Sequence, residues 1–365
     1  MNKFTSGIDN WINHYKSLDA RDRRKFWIDF FLNNAIYIIL VLLIIYVQYY
    51  SINVMHARNA FLSFNSIVDI LKKSAAALFL ALGVGGIIVL TGTDLSAGRI
   101  MGLSMLVSAS LLQKPLAEYS SKMYPDMAPW PIVLVVLFVM GFGALIGAFN
   151  GFCVSKFKLH PFIVTLATQM MIYGFILIYM TLGNNGGAPI AGLTEEYKNI
   201  VKGTFSIGGT AIPFYVVYAL IALAIMWYVW NKTTLGKGMF AVGANPEAAN
   251  VSGVSVSRTI IMVFTMGGIL YGFSGFVEAA RIGSNSATAG MNAELDAIAA
   301  CVIGGVSFNG GLGSISGIVL GVVMLQIITV ALQWLGISTN LQYIIKGAII
   351  LVAVAIDMRK YVTKK

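Results

Sequence analysis

The stretch Asn231–Arg258, NKTTLGKGMFAVGANPEAANVSGVSVSR, decides how this chain is read. Membrane-length apolar segments flank it, yet it carries Lys232, Lys237, Glu247 and Arg258. A helix-start signature lies inside it. Asn245 suits the N-cap, where a side-chain oxygen accepts a free amide of the first turn. Pro246 suits the first helical position, where its missing N–H costs nothing. Glu247 puts negative charge at the positive end of the helix dipole. Ala248 and Ala249 are strong helix formers, and Gly253 is placed to end the helix in a left-handed conformation. The spacing predicts a short capped helix in a water-exposed loop between membrane spans. Such a helix is either an ordinary structured loop or a docking element for a soluble partner, and shape alone does not choose.

Working outward, composition sets the class. Hydrophobic residues make up 58% of the 365-residue chain and charged residues 11%, against roughly 25% charged in an average soluble domain. An all-α polytopic membrane protein is expected. The net charge of +10 reflects where Lys and Arg sit relative to a bilayer, not nucleic-acid binding. Cys153 and Cys301 fall in or beside apolar segments and read as small packing residues. His14, His56 and His160 are scattered and lack metal-ligand spacing. No cleavable signal peptide is expected from the charged, aromatic start.

Residues 1–33 mix Lys3, Lys16, Arg21, Arg23, Arg24 and Lys25 with Trp11, Tyr15, Phe26 and Trp27. They suit an amphipathic helix lying on the cytoplasmic interface. A transmembrane domain, 34–356, follows, with a basic tail at 357–365. Its apolar runs suggest about ten crossings, some short or broken, with both termini cytoplasmic. The loop 183–210 reads as Gly- and Asn-rich coil. About twice as many Lys and Arg fall on the side of the termini and of loop 231–258 as on the other, which makes that loop cytoplasmic. Gly143, Gly147 and Gly151 recur every four residues, as do Gly313, Gly317 and Gly321. That spacing lets helix backbones approach closely in lipid, either within one subunit or across a homodimer seam.

Few charges lie at membrane depth. Asp94 and Arg99 share the break Thr91–Arg99, where they either pair or bond to loose backbone. There Asp94, Leu95, Ser96 and Arg99 line a pathway or form a capped turn. Glu294 and Asp296 precede a short apolar piece, where a carboxylate either favours a helix start or contacts a sugar or ion directly. Glu278 and Arg281 stand at helical pairing distance. Lys346 is read as facing a carbonyl or water, or reaching toward an interface. No carboxylate chain suggests a proton relay. No GxxxxGK[ST] occurs, so the chain itself should not split ATP. No GxSxG, HExxH or CxxC supports an enzyme, and no TVGYG supports a potassium channel. A transporter or transport subunit remains, with a stand-alone carrier or channel behind it.

The segment Glu247-Ala248-Ala249-x-x-x-Gly253 resembles the EAA–G signature of permease subunits of ATP-binding-cassette importers, without the I-x-L-P element that continues it. More specific are Gly92-Thr93-Asp94-Leu95-Ser96-Ala97-Gly98-Arg99, Gly243-Ala244-Asn245-Pro246-Glu247-Ala248-Ala249, Glu294-Leu295-Asp296-Ala297 and Gly304-Gly305-Val306-Ser307-Phe308-Asn309-Gly310-Gly311. In order and spacing they resemble the monosaccharide importer permeases of the ribose/xylose/galactose group, most of all its galactose/methylgalactoside branch. The resemblance runs from about residue 34 to the C-terminus, and residues 1–33 lie outside it.

It implies a second copy of this chain, a cytoplasmic ATPase with two fused cassettes, and a periplasmic or lipid-anchored sugar-binding protein, all at the bacterial inner membrane. ATP and Mg would bind the ATPase, not this chain. The coupling helix would be Asn245, Pro246, Glu247, Ala248, Ala249 and Gly253. Asp94, Leu95, Ser96, Arg99, Glu294, Asp296, Ser307 and Asn309 would shape or gate the pathway. Galactose is the expected cargo, with ribose or xylose as the alternative.

Overall fold

The computed structural model describes residues 19–55, 60–207 and 209–362. Residues 1–18 of the expected interfacial segment and 363–365 of the basic tail lie outside them. Helix α1 (Ala20–Asn53) runs unbroken through the expected start of the first span. Helix α2 (Phe64–Val89) opens on Ser63, whose hydroxyl accepts the Ser66 amide. Its last two turns are wholly buried. A non-helical break leads to α3 (Ala97–Leu111), and Thr91 in that break adopts φ +62°. Next come α4 (Ile132–Lys156) and α5 (Pro161–Met180), joined at His160, whose ring accepts the Phe162 amide.

The loop read as coil is built. It contains α6 (Glu195–Lys202) and an antiparallel hairpin, β1 (Thr204–Ile207) with β2 (Thr210–Pro213), in register Phe205 to Ile212. The all-α expectation is corrected at this one place. A glycine pair between two short runs rich in β-branched residues is a hairpin signal, and Gly209 takes φ +82° there. Lys198 and Lys114 both pair with Glu195 at 3.0 Å and hold its carboxyl below the usual carboxylate range.

The chain continues through α7 (Phe214–Lys232), α8 (Thr234–Ala244), α9 (Pro246–Val251) and α10 (Val256–Ile282). It ends with α11 (Ala293–Ile303), α12 (Ile315–Trp334) and α13 (Thr339–Val362), the last running into the expected tail. Among the described residues five helices, α4, α5, α7, α10 and α12, are long and apolar enough to cross a membrane. In α10 and α12 more than half of the apolar window is buried, against roughly a quarter in α4, α5 and α7. The first two form the centre, and the outer faces of the others are left for lipid or for another chain.

Glycine explains the tightest crossing. A Cβ at Gly143 would fall on the Gly268 carbonyl, and one at Gly268 on the Gly143 carbonyl. Gly147 meets the Phe264 carbonyl and Gly272 the Val139 carbonyl in the same way. Without water to drive burial, such backbone approach is what holds helices together in lipid. The four-residue repeats thus pack α4 on α10, and α12 on α11 through Gly317 and Gly321, within one subunit.

Loops gather at two ends. At one end, the Gly311 amide donates to the Val89 carbonyl (2.9 Å), which places 304–314 beside the end of α2. Helix α8 joins them there. At the other end, Gln113 binds two other segments, at 123 and at 191–193. Its amide donates to the Ala191 carbonyl (2.8 Å), its side-chain oxygen accepts the Met123 amide (2.9 Å), and its backbone bridges Leu193. The Ile190–Asn285 bridge adds 283–292 to that outer cap.

Candidate functional site

Two arrangements stand out, and a short chain of contacts connects them. The first is α9. Asn245 is its N-cap with extended backbone (φ −161°), and its side-chain oxygen accepts the amides of Glu247 (2.9 Å) and Ala248 (3.0 Å). Pro246 holds the first helical position, and Gly253 follows the helix at φ +83°. Ala249 alone of these faces the core. Glu247, Ala248, Asn250 and Val251 point outward, and Val251 is 89% exposed. A fully exposed branched apolar side chain beside a carboxylate, on a rigid capped turn, suits an element meant to enter a groove of another protein. Asn245→Ala removes both cap bonds and should weaken α9 by about 1 kcal/mol. Faster amide exchange confined to residues 247–252 would read this out.

The loop 231–258 is less exposed than its charges suggest. Thr233 caps α8 by accepting the Gly236 amide (3.2 Å), and Met239, Val242 and Gly243 are buried. Helix α8 is thus a packed platform, and α9 turns all but Ala249 outward from it.

The second arrangement is the break between α2 and α3. Asp94 is 0% exposed. Its Oδ1 accepts the Ser96 amide (2.9 Å) and the Ser96 hydroxyl (2.6 Å). The Ser96 oxygen in turn accepts from Asn150 Nδ2 (3.0 Å), and Asn150 Oδ1 accepts from the Thr168 hydroxyl (2.7 Å). The Leu95 amide donates to Thr165 Oγ1 (3.2 Å). A polar belt therefore runs from the break through α4 into α5. Asp94 Oδ2 and the Tyr271 hydroxyl of α10 are both buried and face each other in a contact looser than those to Ser96. Buried polar groups are paired almost everywhere in folded proteins, and this loose pairing ties the break to α10.

Asp94 and Arg99 do not pair. Ser96 takes the carboxylate, while the Arg99 guanidinium lies 4.5 Å from the Tyr173 ring centroid and its Nη1 reaches the Ala287 carbonyl (3.5 Å). Glu294, 2% exposed, joins this side of the belt through Gln169 Nε2 (3.3 Å) and lies against Gly98. It is placed there because Gly98 and Gly290 touch backbone to backbone, and Asn292 turns into α11 at φ +62°.

The remaining expected pathway residues sit elsewhere. Asp296 points away from the belt and pairs with Lys346 of α13 at 2.8 Å. That contact also corrects the expectation that Lys346 meets a carbonyl, water or an interface. Ser307 and Asn309 lie in loop 304–314, where Ser307 Oγ accepts the Asn309 amide (3.2 Å) and the Ser307 amide reaches the Leu312 carbonyl (3.1 Å). Asn150, Thr168, Gln169, Tyr173 and Tyr271 complete the belt without having been singled out by sequence. The available signal was a lone polar side chain inside an apolar helix.

Loop 304–314 links the two arrangements. Gly243, two residues before the α9 cap, packs on the Val89 carbonyl and the Gly311 amide. Gly310, at φ +77°, packs on Gly243 and Thr91. Thr91 precedes Asp94 by three residues. Displacement of α9 therefore meets the end of α2 through backbone contacts at Val89 and reaches Thr91 through its Cγ2 methyl.

Comparison with known proteins adds to this geometry. Residues 66–354 match the family described as branched-chain amino acid transport system / permease component. The chain is 42% identical over 342 residues to the galactose/methyl galactoside import permease protein of Escherichia coli (strain K12), covering 94% of this chain and 98% of that one. It is also 42% identical over 349 residues to the protein of the same name from Haemophilus influenzae, covering 95% and 100%. Against the ribose import permease protein of Bacillus subtilis (strain 168) the identity is 33% over 301 residues, covering 82% and 87%. No solved structure matches the chain.

Proposed function

Because the chain belongs to the branched-chain amino acid transport system / permease component family, we propose that it is the membrane-spanning subunit of an ATP-binding-cassette importer for galactose and methyl galactoside. The family description names amino acids, but the relatives matched over nearly their whole length are named for sugars. The chain is a multi-pass protein of the bacterial inner membrane. About ten crossings, with both termini and α9 in the cytoplasm, agree with the two-ended gathering of loops.

The observation that carries the reading is α9, a capped, outward-facing helix on a chain with no nucleotide-binding motif. It supports a division of labour. A separate ATPase, with ATP and Mg, docks on Glu247 and Val251. A second copy of this chain completes the pathway, and a sugar-binding protein lands on the outer cap. ATP-driven closure of the cassettes moves α9, and the Gly243–Gly310 contacts carry that movement to the Asp94 belt. A ligand-driven step of this kind requires an element with two packings, and the loose Asp94–Tyr271 contact is suited to be one.

Affinity purification of the full chain should bring down an ATPase, and vesicles holding the complex and the binding protein should accumulate labelled galactose. Recovery without an ATPase, with uptake intact, would instead support a stand-alone carrier. The 32–33% identical ribose permeases make ribose the second reading, with xylose behind it. Unlabelled ribose displacing labelled galactose as well as galactose itself does would favour that reading. Glu247→Lys lies on an exposed turn and should leave membrane levels of the chain unchanged. It should nevertheless reduce ATPase recovery and uptake together, and equal recovery would argue against α9 as the docking element.

A further inference from the structure

A cleft separate from the Asp94 belt lies between α2, α10, α11 and α12. Its volume is about 330 Å³, inside the roughly 300–1,000 Å³ range of small-molecule pockets. It exists because α2 and α11 turn alanines toward each other there, among them Ala77 and Ala297. Lys73 and Arg281 stand toward the end opposite α9, and Ala81 stands nearest the middle of the bundle. From Lys73 to Ala81 the helical rise gives a depth of about 12 Å.

The polar lining is only partly buried, since Lys73, Arg281 and Asp296 all keep some exposure. Lys73, Arg281, Glu278 and Asp296 contribute two cations and two carboxylates, so the lining has no net charge. Each is already engaged. Glu278 and Arg281 pair at 2.8 Å, Lys73 donates to Gln333 (2.9 Å), and Asp296 accepts from Lys346 (2.8 Å). A neutral solute leaves this balance of charge as it is, whereas an ion would add an uncompensated charge to it. Spare lone pairs on the carboxylates, the Gln326 amide and the Thr329 oxygen offer acceptors beside the remaining N–H donors of Lys73, Arg281 and Gln326. Hydroxyl groups, which donate and accept at once, match that mixture.

We propose that this cleft is an intrasubunit binding site for a neutral polyhydroxylated solute of monosaccharide size, entered from the face opposite α9. The site rests on the sugar-permease reading above and adds a stop for the cargo within one chain. Weak binding is expected, since no aromatic ring lines the cleft to stack on a sugar face.

The test uses the full chain with its ATPase and binding protein. Thr329→Cys is placed in a Cys153→Ser background, Cys301 being fully buried. A membrane-impermeant maleimide added from outside should label it. Methyl galactoside at high millimolar concentration should slow labelling severalfold, and sulfate at the same concentration should not. Separately, Ala77→Leu and Ala297→Leu fill the cleft. Each should lower uptake severalfold while still recovering the ATPase. Labelling that the galactoside does not slow, protection by sulfate instead, or full uptake with the cleft filled would overturn the site. Failure of the parent reading looks different: vesicles with the unsubstituted chain would then take up no galactoside.

Discussion

Gly268→Leu should remove the folded protein from the membrane. A side chain at that position would begin on the Gly143 carbonyl, and the neighbouring contact at Gly272 lies against the Val139 carbonyl on the same seam. Overpacking a core usually costs about 1–3 kcal/mol because side chains shift to make room. Here the obstacle is backbone, so the helices themselves must separate. Separation would also pull Gly147 from the Phe264 carbonyl and undo the crossing over several turns. Folded stabilities are commonly about 5–15 kcal/mol, so losing a whole helix interface is not tolerated. Membrane-fraction yield and a detergent thermal-shift midpoint would measure this. Gly141→Leu is the control, since nothing lies near a Cβ there. Equal yields for both variants would contradict the account of the seam.

Gly243→Val should give the opposite signature, a chain that assembles but does not transport. Its Cβ would land on the Val89 carbonyl beside the Gly311 amide, the meeting point of α8, loop 304–314 and the end of α2. The junction is at the edge of the bundle, and α8 can move outward without breaking the seam of α4 and α10. The capped α9 remains exposed, so ATPase recovery should persist. Movement of α9 would no longer be handed to Thr91 and Asp94, and uptake should fall about tenfold or more, equivalent to about 1.4 kcal/mol. Measuring ATP hydrolysis and uptake in the same vesicles separates the outcomes. Hydrolysis continuing without accumulation is the expected result, while parallel loss of both would point to failed docking.

The local features were the most legible in the sequence. Asn245, Pro246 and Gly253 act within a few residues of one another, so the α9 cap follows from side-chain chemistry alone. The Glu278–Arg281 pair was legible for the same reason. Contacts between distant segments were not. Lys346 meets Asp296 across fifty positions, and nothing in either neighbourhood names the other. Arg99 had a nearer candidate in Asp94, yet the helical rise of α3 carries it to Tyr173 on α5. Leu95 and Ser96 were found through their break, whereas Asn150 and Thr168 were hidden in runs that read as apolar. Burial of α8 was masked by Lys232 and Lys237, which stay exposed while glycines and Met239 turn inward.

The outer cap held by Gln113 has a consequence for the speed of exchange. One side-chain amide ties 113, 123 and 191 together, and the Ile190–Asn285 bridge extends the tie to the far side of α10. A surface already ordered in this way loses little conformational freedom when another protein touches it. Its lifetime of contact is then set by the groups that meet, not by the time needed to mould a loop. If the sugar-binding protein proposed above lands there, its arrival and departure require no rearrangement of the cap.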